Sequence, residues 1–114
     1  MTSELGTLVP CGGGDPIPLI KNKLLIGRRS QCDIALRFPN VSSHHCEIEL
    51  IDGYWFVRDL NSRNGTFVNG RRVTGEVQLR HGSCLRFHEF EFEFCDALLE
   101  QSSETEFEPR PVRV

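Results

Sequence analysis

Three short segments of this chain carry side chains able to hold an anion: Gly27-Arg28-Arg29-Ser30, Ser42-Ser43-His44-His45 and Ser62-Arg63-Asn64. A phosphate dianion is matched by the forked N–H donors of a guanidinium, supplemented by hydroxyl and backbone N–H groups. One Arg, one Ser and a loop amide or two complete such a set. An Asn beside them can both donate to and accept from an extended peptide backbone. The segments are distant in the chain, so they act together only if the fold brings their loops to one place.

The third segment sits in Asp59 to Gly70, DLNSRNGTFVNG. Its two Asn-Gly pairs tolerate positive φ and read as tight turns around a short strand, Thr66-Phe67-Val68. The turn requires Gly65 but does not require Ser62, Arg63 and Asn64 before it. A loop held by strands on both sides is a good place for recognition chemistry.

Each residue also has a plainer reading. Arg28 alone reads as a solvated surface residue, and Ser42 as a strand start or a local side-chain turn. His45 reads as a hydrogen-bonded structural histidine. Asn69-Gly70 reads as turn chemistry, with Asn69 bracing its loop. Trp55 and the Phe stripe belong to the core, and Glu47 and Glu49 to a solvated strand face. A hydrolase assembled from Ser42, His45 and Asp59 lacks a G-x-S-x-G elbow. Zinc on His44, His45 and Cys46 fails because strand neighbours point to opposite faces.

Composition narrows the class further. The 114 residues carry a net charge of −3, so no bulk basic field exists to hold nucleic acid. The five Cys are an odd number without a CxxC pair, a poor disulfide framework and a poor metal site. They read as small, mostly buried residues of a reducing compartment. No basic n-region or long apolar run suggests a signal peptide or membrane span, which makes the cytoplasm the default expectation. Neither cofactor, metal nor enzymatic activity is expected.

The elements that would position these loops are short strands. Leu5 to Ile20 reads as a hairpin, placed at a sheet edge by Pro10, Pro16 and Pro18. Leu24 to Ile26, Ile34 to Leu36, Cys46 to Leu50 and Tyr54 to Arg58 follow, the third with period-2 alternation. Val77 to Leu79, Cys84 to Phe87 and Phe90 to Phe94 come last, with the Phe rings of the final run on one face. With no helical pattern before Ala97 to Glu100, some 10–11 strands imply an all-β antiparallel sandwich with functional loops at one end. Residues 1–96 read as the domain and 97–114 as an acidic, mobile tail. Within it, Ser102, Ser103 and Thr105 lie among glutamates and form a candidate kinase site.

Taken together and in this order, the motifs resemble the forkhead-associated (FHA) domain, a phosphothreonine-peptide binding β-sandwich. The resemblance rests on Gly27-Arg28, Ser42-x-x-His45, the SRNGT core of Asp59 to Gly70, and Leu79-x-x-Gly82 followed by Leu85 and Phe87. It covers about residues 5 to 95. It implies that Arg28 contacts the phosphate, Ser42 donates its hydroxyl to it, and Arg63 sits at the rim. Asn64 would bond the ligand backbone, with Ser43 an extra donor. Gly27, His45, Gly65 and Asn69 would support the site. The implied partner is a phosphothreonine-bearing protein or peptide, including a Ser/Thr kinase or its substrate, with no role for nucleic acid or membrane. A scaffold that pairs protein surfaces independently of phosphate is the rival. Two departures stand out: Gly82-Ser83 where the family usually has Gly-Asp, and His88 where it often has Gly.

Overall fold

The computed structural model describes residues 5–97. Within these described residues eleven strands form two sheets. In chain order they are β1 (Gly6–Pro10), β2 (Ile17–Leu19), β3 (Lys23–Gly27), β4 (Ile34–Ala35), β5 (Cys46–Ile51), β6 (Tyr54–Asp59), β7 (Thr66–Val68), β8 (Arg71–Arg72), β9 (Glu76–Leu79), β10 (Cys84–Phe87) and β11 (Phe90–Asp96). The first sheet runs β2-β1-β11-β10-β7-β8 and the second β4-β3-β5-β6-β9. Every pairing is antiparallel except β3 with β4, a short parallel contact. The all-β sandwich expected from the pattern is the one observed, with β8 the strand that two consecutive Arg concealed.

Period-2 alternation turns one face of each sheet inward. Leu8, Val68, Leu85, Phe87, Phe92 and Phe94 of the first sheet meet Leu24, Ile26, Ile48, Trp55, Val57 and Leu79 of the second, all buried. Trp55 and Phe94 meet edge to face with centroids 6.0 Å apart, a favoured aromatic geometry. The indole N–H donates to the Leu5 carbonyl at 3.3 Å, so its polar edge is satisfied.

Three expectations need correction. Only β2 of the first hairpin is an edge; β1 lies between β2 and β11, and Pro10 is tolerated because it ends the strand. Glu47 and Glu49 do not simply face solvent. They flank the Arg58 guanidinium at 2.8 and 3.8 Å, with Glu76 at 3.1 Å, because register sets Arg58 opposite both Glu47 and Glu76. Of the cysteines only Cys32 and Cys46 are buried; Cys84 and Cys95 are intermediate and Cys11 is exposed.

The departures at the late hairpin are absorbed locally. Ser83 is buried, and its hydroxyl accepts the Arg80 N–H at 2.9 Å, closing the turn before β10. His88 adopts φ 57° in the turn before β11, and its carbonyl accepts from Arg86 at 2.7 Å. The predicted turn of helix at Ala97 to Glu100, apart from Ala97, and the Thr105 segment lie outside the described residues.

Phe94→Ala should cost about 3–5 kcal/mol in urea denaturation, because the ring is fully enclosed. Tyr54→Ala, at a position 58 % exposed, should stay within about 0.5 kcal/mol. Equal losses would contradict this placement of the core.

Candidate functional site

Strand register brings the candidate loops together. Ile26 pairs with Cys46, and Cys46 with Asp59, so these three residues form one row across the second sheet. The chain leaves or enters the sheet at each, giving loop 28–33 after β3, loop 36–45 before β5 and loop 60–65 after β6. All three loops therefore emerge from one end of the sandwich.

Gly27 makes the first approach possible. A Cβ at this position would lie 2.2 Å from the Ser43 carbonyl oxygen, so no side chain fits without separating the loops. The Arg28 amide then donates to the Ser42 carbonyl at 2.9 Å. Its guanidinium donates to the Val41 carbonyl at 3.1 Å and to the Ser43 hydroxyl at 3.3 Å. Arg28 is thus laid along loop 36–45 with N–H groups to spare, and among the described residues no carboxylate pairs with it. The Cys32 thiol donates to the Ser43 carbonyl at 3.3 Å and steadies the same segment.

His45 holds the loops from beneath. It is fully buried, and its Nδ1 accepts the Ser42 N–H at 3.1 Å. The ring hydrogen therefore sits on Nε2, which donates to the Gly65 carbonyl at 2.8 Å. Its own N–H donates to the Ile26 carbonyl and its carbonyl accepts from Leu60. One residue is bonded to β3, to its own loop and to loop 60–65.

Loop 60–65 has an internal cage that the sequence reading missed. Asp59 Oδ1 accepts from the Ser62 and Thr66 hydroxyls, both at 2.6 Å, and Oδ2 from the Ser62 N–H at 3.0 Å. The Ser62 hydroxyl in turn accepts the Gly65 N–H at 2.9 Å. Ser62 is consequently buried and spent on the loop's shape, and is not one of the anion-holding groups. The signal was the three-residue spacing Asp59-x-x-Ser62, the signature of a side-chain-to-backbone turn. Burial alone would raise the Asp59 carboxyl, but the Ser62 and Thr66 hydroxyls and the Ser62 N–H outweigh it and hold it below its ordinary 3.8.

Ser42 and Asn64 join the rims. The Ser42 hydroxyl oxygen accepts the Arg63 N–H at 2.9 Å, leaving its hydrogen free to donate. Asn64 donates its side-chain N–H to the Asn40 carbonyl at 2.8 Å. Arg28, Ser42, Ser43 and Arg63 line a cleft of about 360 Å³ floored by Pro39 to Val41. Among the described residues no acidic side chain lines it, and those that do offer mainly N–H and O–H donors. Asn69 sits apart, at φ 51° in the turn after β7, exchanging two 2.8 Å hydrogen bonds with the backbone of Cys84. Among the described residues no group of His, Cys, Asp or Glu is arranged to hold a metal.

The family model for the FHA domain matches residues 24–88. Human proliferation marker protein Ki-67 is 31 % identical over 113 residues, which is 98 % of this chain and 4 % of that protein. The chain thus spans a small part of the curated relative it matches. Mycobacterium tuberculosis EmbR, solved in complex with a low affinity phosphopeptide, superposes with a TM-score of 0.78 at 32 % identity, over 82 % of this chain and 25 % of EmbR. A domain solved in work on phosphothreonine-dependent FHA domain interactions gives 0.72 at 33 % identity, over 79 % of this chain and 94 % of that one.

The Asp59 cage has a pH signature. A depressed carboxyl stabilises the fold above its unfolded value, near pH 4, and this contribution is lost as pH falls through the folded value. Asp59→Asn should therefore be about 1–3 kcal/mol less stable than the parent at pH 7, with the gap closing below about pH 4. Urea titrations at pH 7, 4 and 3 measure it; a gap independent of pH would contradict the cage.

Proposed function

The chain belongs to the FHA domain family, and from that premise we propose that it is a non-catalytic module that binds phosphothreonine in extended segments of partner proteins. The single observation that carries this reading is the cleft where Arg28, Ser42, Ser43 and Arg63 converge, lined by no acidic side chain among the described residues. Arg28 gives the phosphate charge-assisted bonds from the N–H groups that loop 36–45 leaves unused. Ser42 donates its hydroxyl, oriented by the Arg63 N–H that it accepts. Ser43 holds the guanidinium and adds a donor, and Arg63 supplies a second positive charge at the rim. Asn64 keeps its carbonyl oxygen and one N–H for the peptide backbone beside the phosphothreonine.

With its second pKa near 6, the phosphate is largely dianionic at neutral pH, which suits a site of donors only. Preference for threonine over serine rests on one methyl group, about 0.8 kcal/mol if buried, or a several-fold ratio. The partner is a phosphorylated signalling protein, such as a Ser/Thr kinase or its substrate. Among the described residues the last strand ends at Asp96, in keeping with a domain of residues 1–96 and an acidic tail, 97–114. Five thiols outside any disulfide suit a reducing compartment such as the cytoplasm.

Arg28→Ala should weaken a phosphothreonine peptide about 30-fold or more, corresponding to ~2 kcal/mol for a lost charged hydrogen-bonding partner. Its melting temperature should hold, because Arg28 is exposed. Fluorescence polarisation with phosphorylated and unmodified peptides reads both affinities. An unchanged dissociation constant in the variant would refute the phosphate role, and equal binding of the two peptides would favour a phosphate-independent scaffold.

A further inference from the structure

A second cleft, of about 350 Å³, opens at the side of the sandwich where β8 ends one sheet and β9 ends the other. Arg71, Arg72 and Arg80 line it together with Val68, Val77 and Ser83. All three arginines are exposed, and among the described residues none of them forms an ion pair. Glu76 on β9 does not neutralise them, being bound to Arg58 at 3.1 Å. Three unpaired guanidiniums around one groove are unexpected in a chain of net charge −3. Among the described residues, strand β8 pairs only with β7 and β9 only with β6, so within that set each has an open side with backbone N–H and C=O groups unpaired. An extended acidic segment would meet both needs, backbone partners from the edges and cations for its side chains.

Arg72 connects the second cleft to loop 60–65, the loop that carries Arg63 of the first cleft. Its side chain lies beside Gly65 of loop 60–65, where an added Cβ would come within 3.0 Å of Arg72 Nε. Arg72 also pairs across strands with Phe67, over whose ring Arg86 sits at 4.2 Å. Arg63, which lines the first cleft, and Val68, which lines the second, are five residues apart, at most about 17 Å of chain. An extended segment anchored at the first cleft thus reaches the second within about five residues.

We infer that the lateral cleft is a second docking site, for an Asp/Glu-rich stretch a few residues from the phosphothreonine in the same partner segment. This rests on the phosphothreonine reading of the first cleft. The chemistry it selects is multiple carboxylates on extended backbone, and its contribution weakens with salt.

Calorimetry on the full chain tests it with a phosphothreonine peptide of neutral flanks, two versions carrying four Glu on either side, and an unphosphorylated acidic peptide. One acidic-flank peptide should bind about five- to thirty-fold tighter than the neutral one at low salt. Arg71→Glu/Arg80→Glu, confirmed folded by its melting curve, should abolish that gain while leaving the neutral phosphopeptide within about twofold, the scatter expected of a site it does not touch. A gain that persists in the double variant, or no gain at all, overturns the inference. So does a gain that appears only when Glu100, Glu104, Glu106 and Glu108 are changed to Gln, since the cleft would then be serving the chain's own acidic residues. If the neutral phosphopeptide fails to bind, the phosphate reading falls by itself. The cleft then stands only if the unphosphorylated acidic peptide binds the parent and not the double variant.

Discussion

A single buried imidazole sets the geometry of the recognition end. His45 accepts from the Ser42 N–H and donates to the Gly65 carbonyl, so two loops separated by a strand pair are bonded through one rigid ring. The bond to Gly65 is buried and the one to Ser42 part-buried, and an unmet donor or acceptor out of solvent is costly. Neither loop can shift without leaving one nitrogen unsatisfied. The loops are therefore held in one arrangement by folding, and a ligand that fits that arrangement would carry a smaller ordering cost.

The rest of the site is built outward from that ring. Gly27 lets β3 end against Ser43, which places the Arg28 guanidinium over loop 36–45. The Asp59 carboxylate gathers Ser62 and Thr66 and so bends the chain from the second sheet into the first. Ser42 and Asn64 close the gap between rims through Arg63 and Asn40. Few of these contacts carry much energy alone. Together they separate two kinds of residue: buried groups that consume one another's hydrogen bonds, and exposed or half-buried donors left with capacity around a common cleft.

That separation marks how much was legible in the sequence. Strand positions followed from alternation, which is why the sandwich and the burial of Trp55, Phe92 and Phe94 could be read directly. Strand order could not, because register depends on contacts distant in the chain; β1 looked like an edge from its proline, and β8 was hidden by its charge. At the site, Arg28, Ser42, Arg63 and Asn64 were singled out by residue type and motif order, and the structure brings all four to adjoining rims. Ser62 was misread because a hydroxyl in a polar loop looks the same whether it faces a ligand or its own backbone. The ion pairs of Glu47 and Glu49 with Arg58 likewise depend on cross-strand register, which no local pattern reveals.

The most direct measurement is a titration of the isotopically labelled chain with a phosphothreonine peptide, followed by backbone and side-chain amide chemical shifts. Perturbations concentrated at Arg28, Ser42, Ser43, Arg63 and Asn64, and absent with the unphosphorylated peptide, are the expected result. Shifts that gather on another face of the sandwich, or that are the same for both peptides, would contradict a phosphate-gripping end.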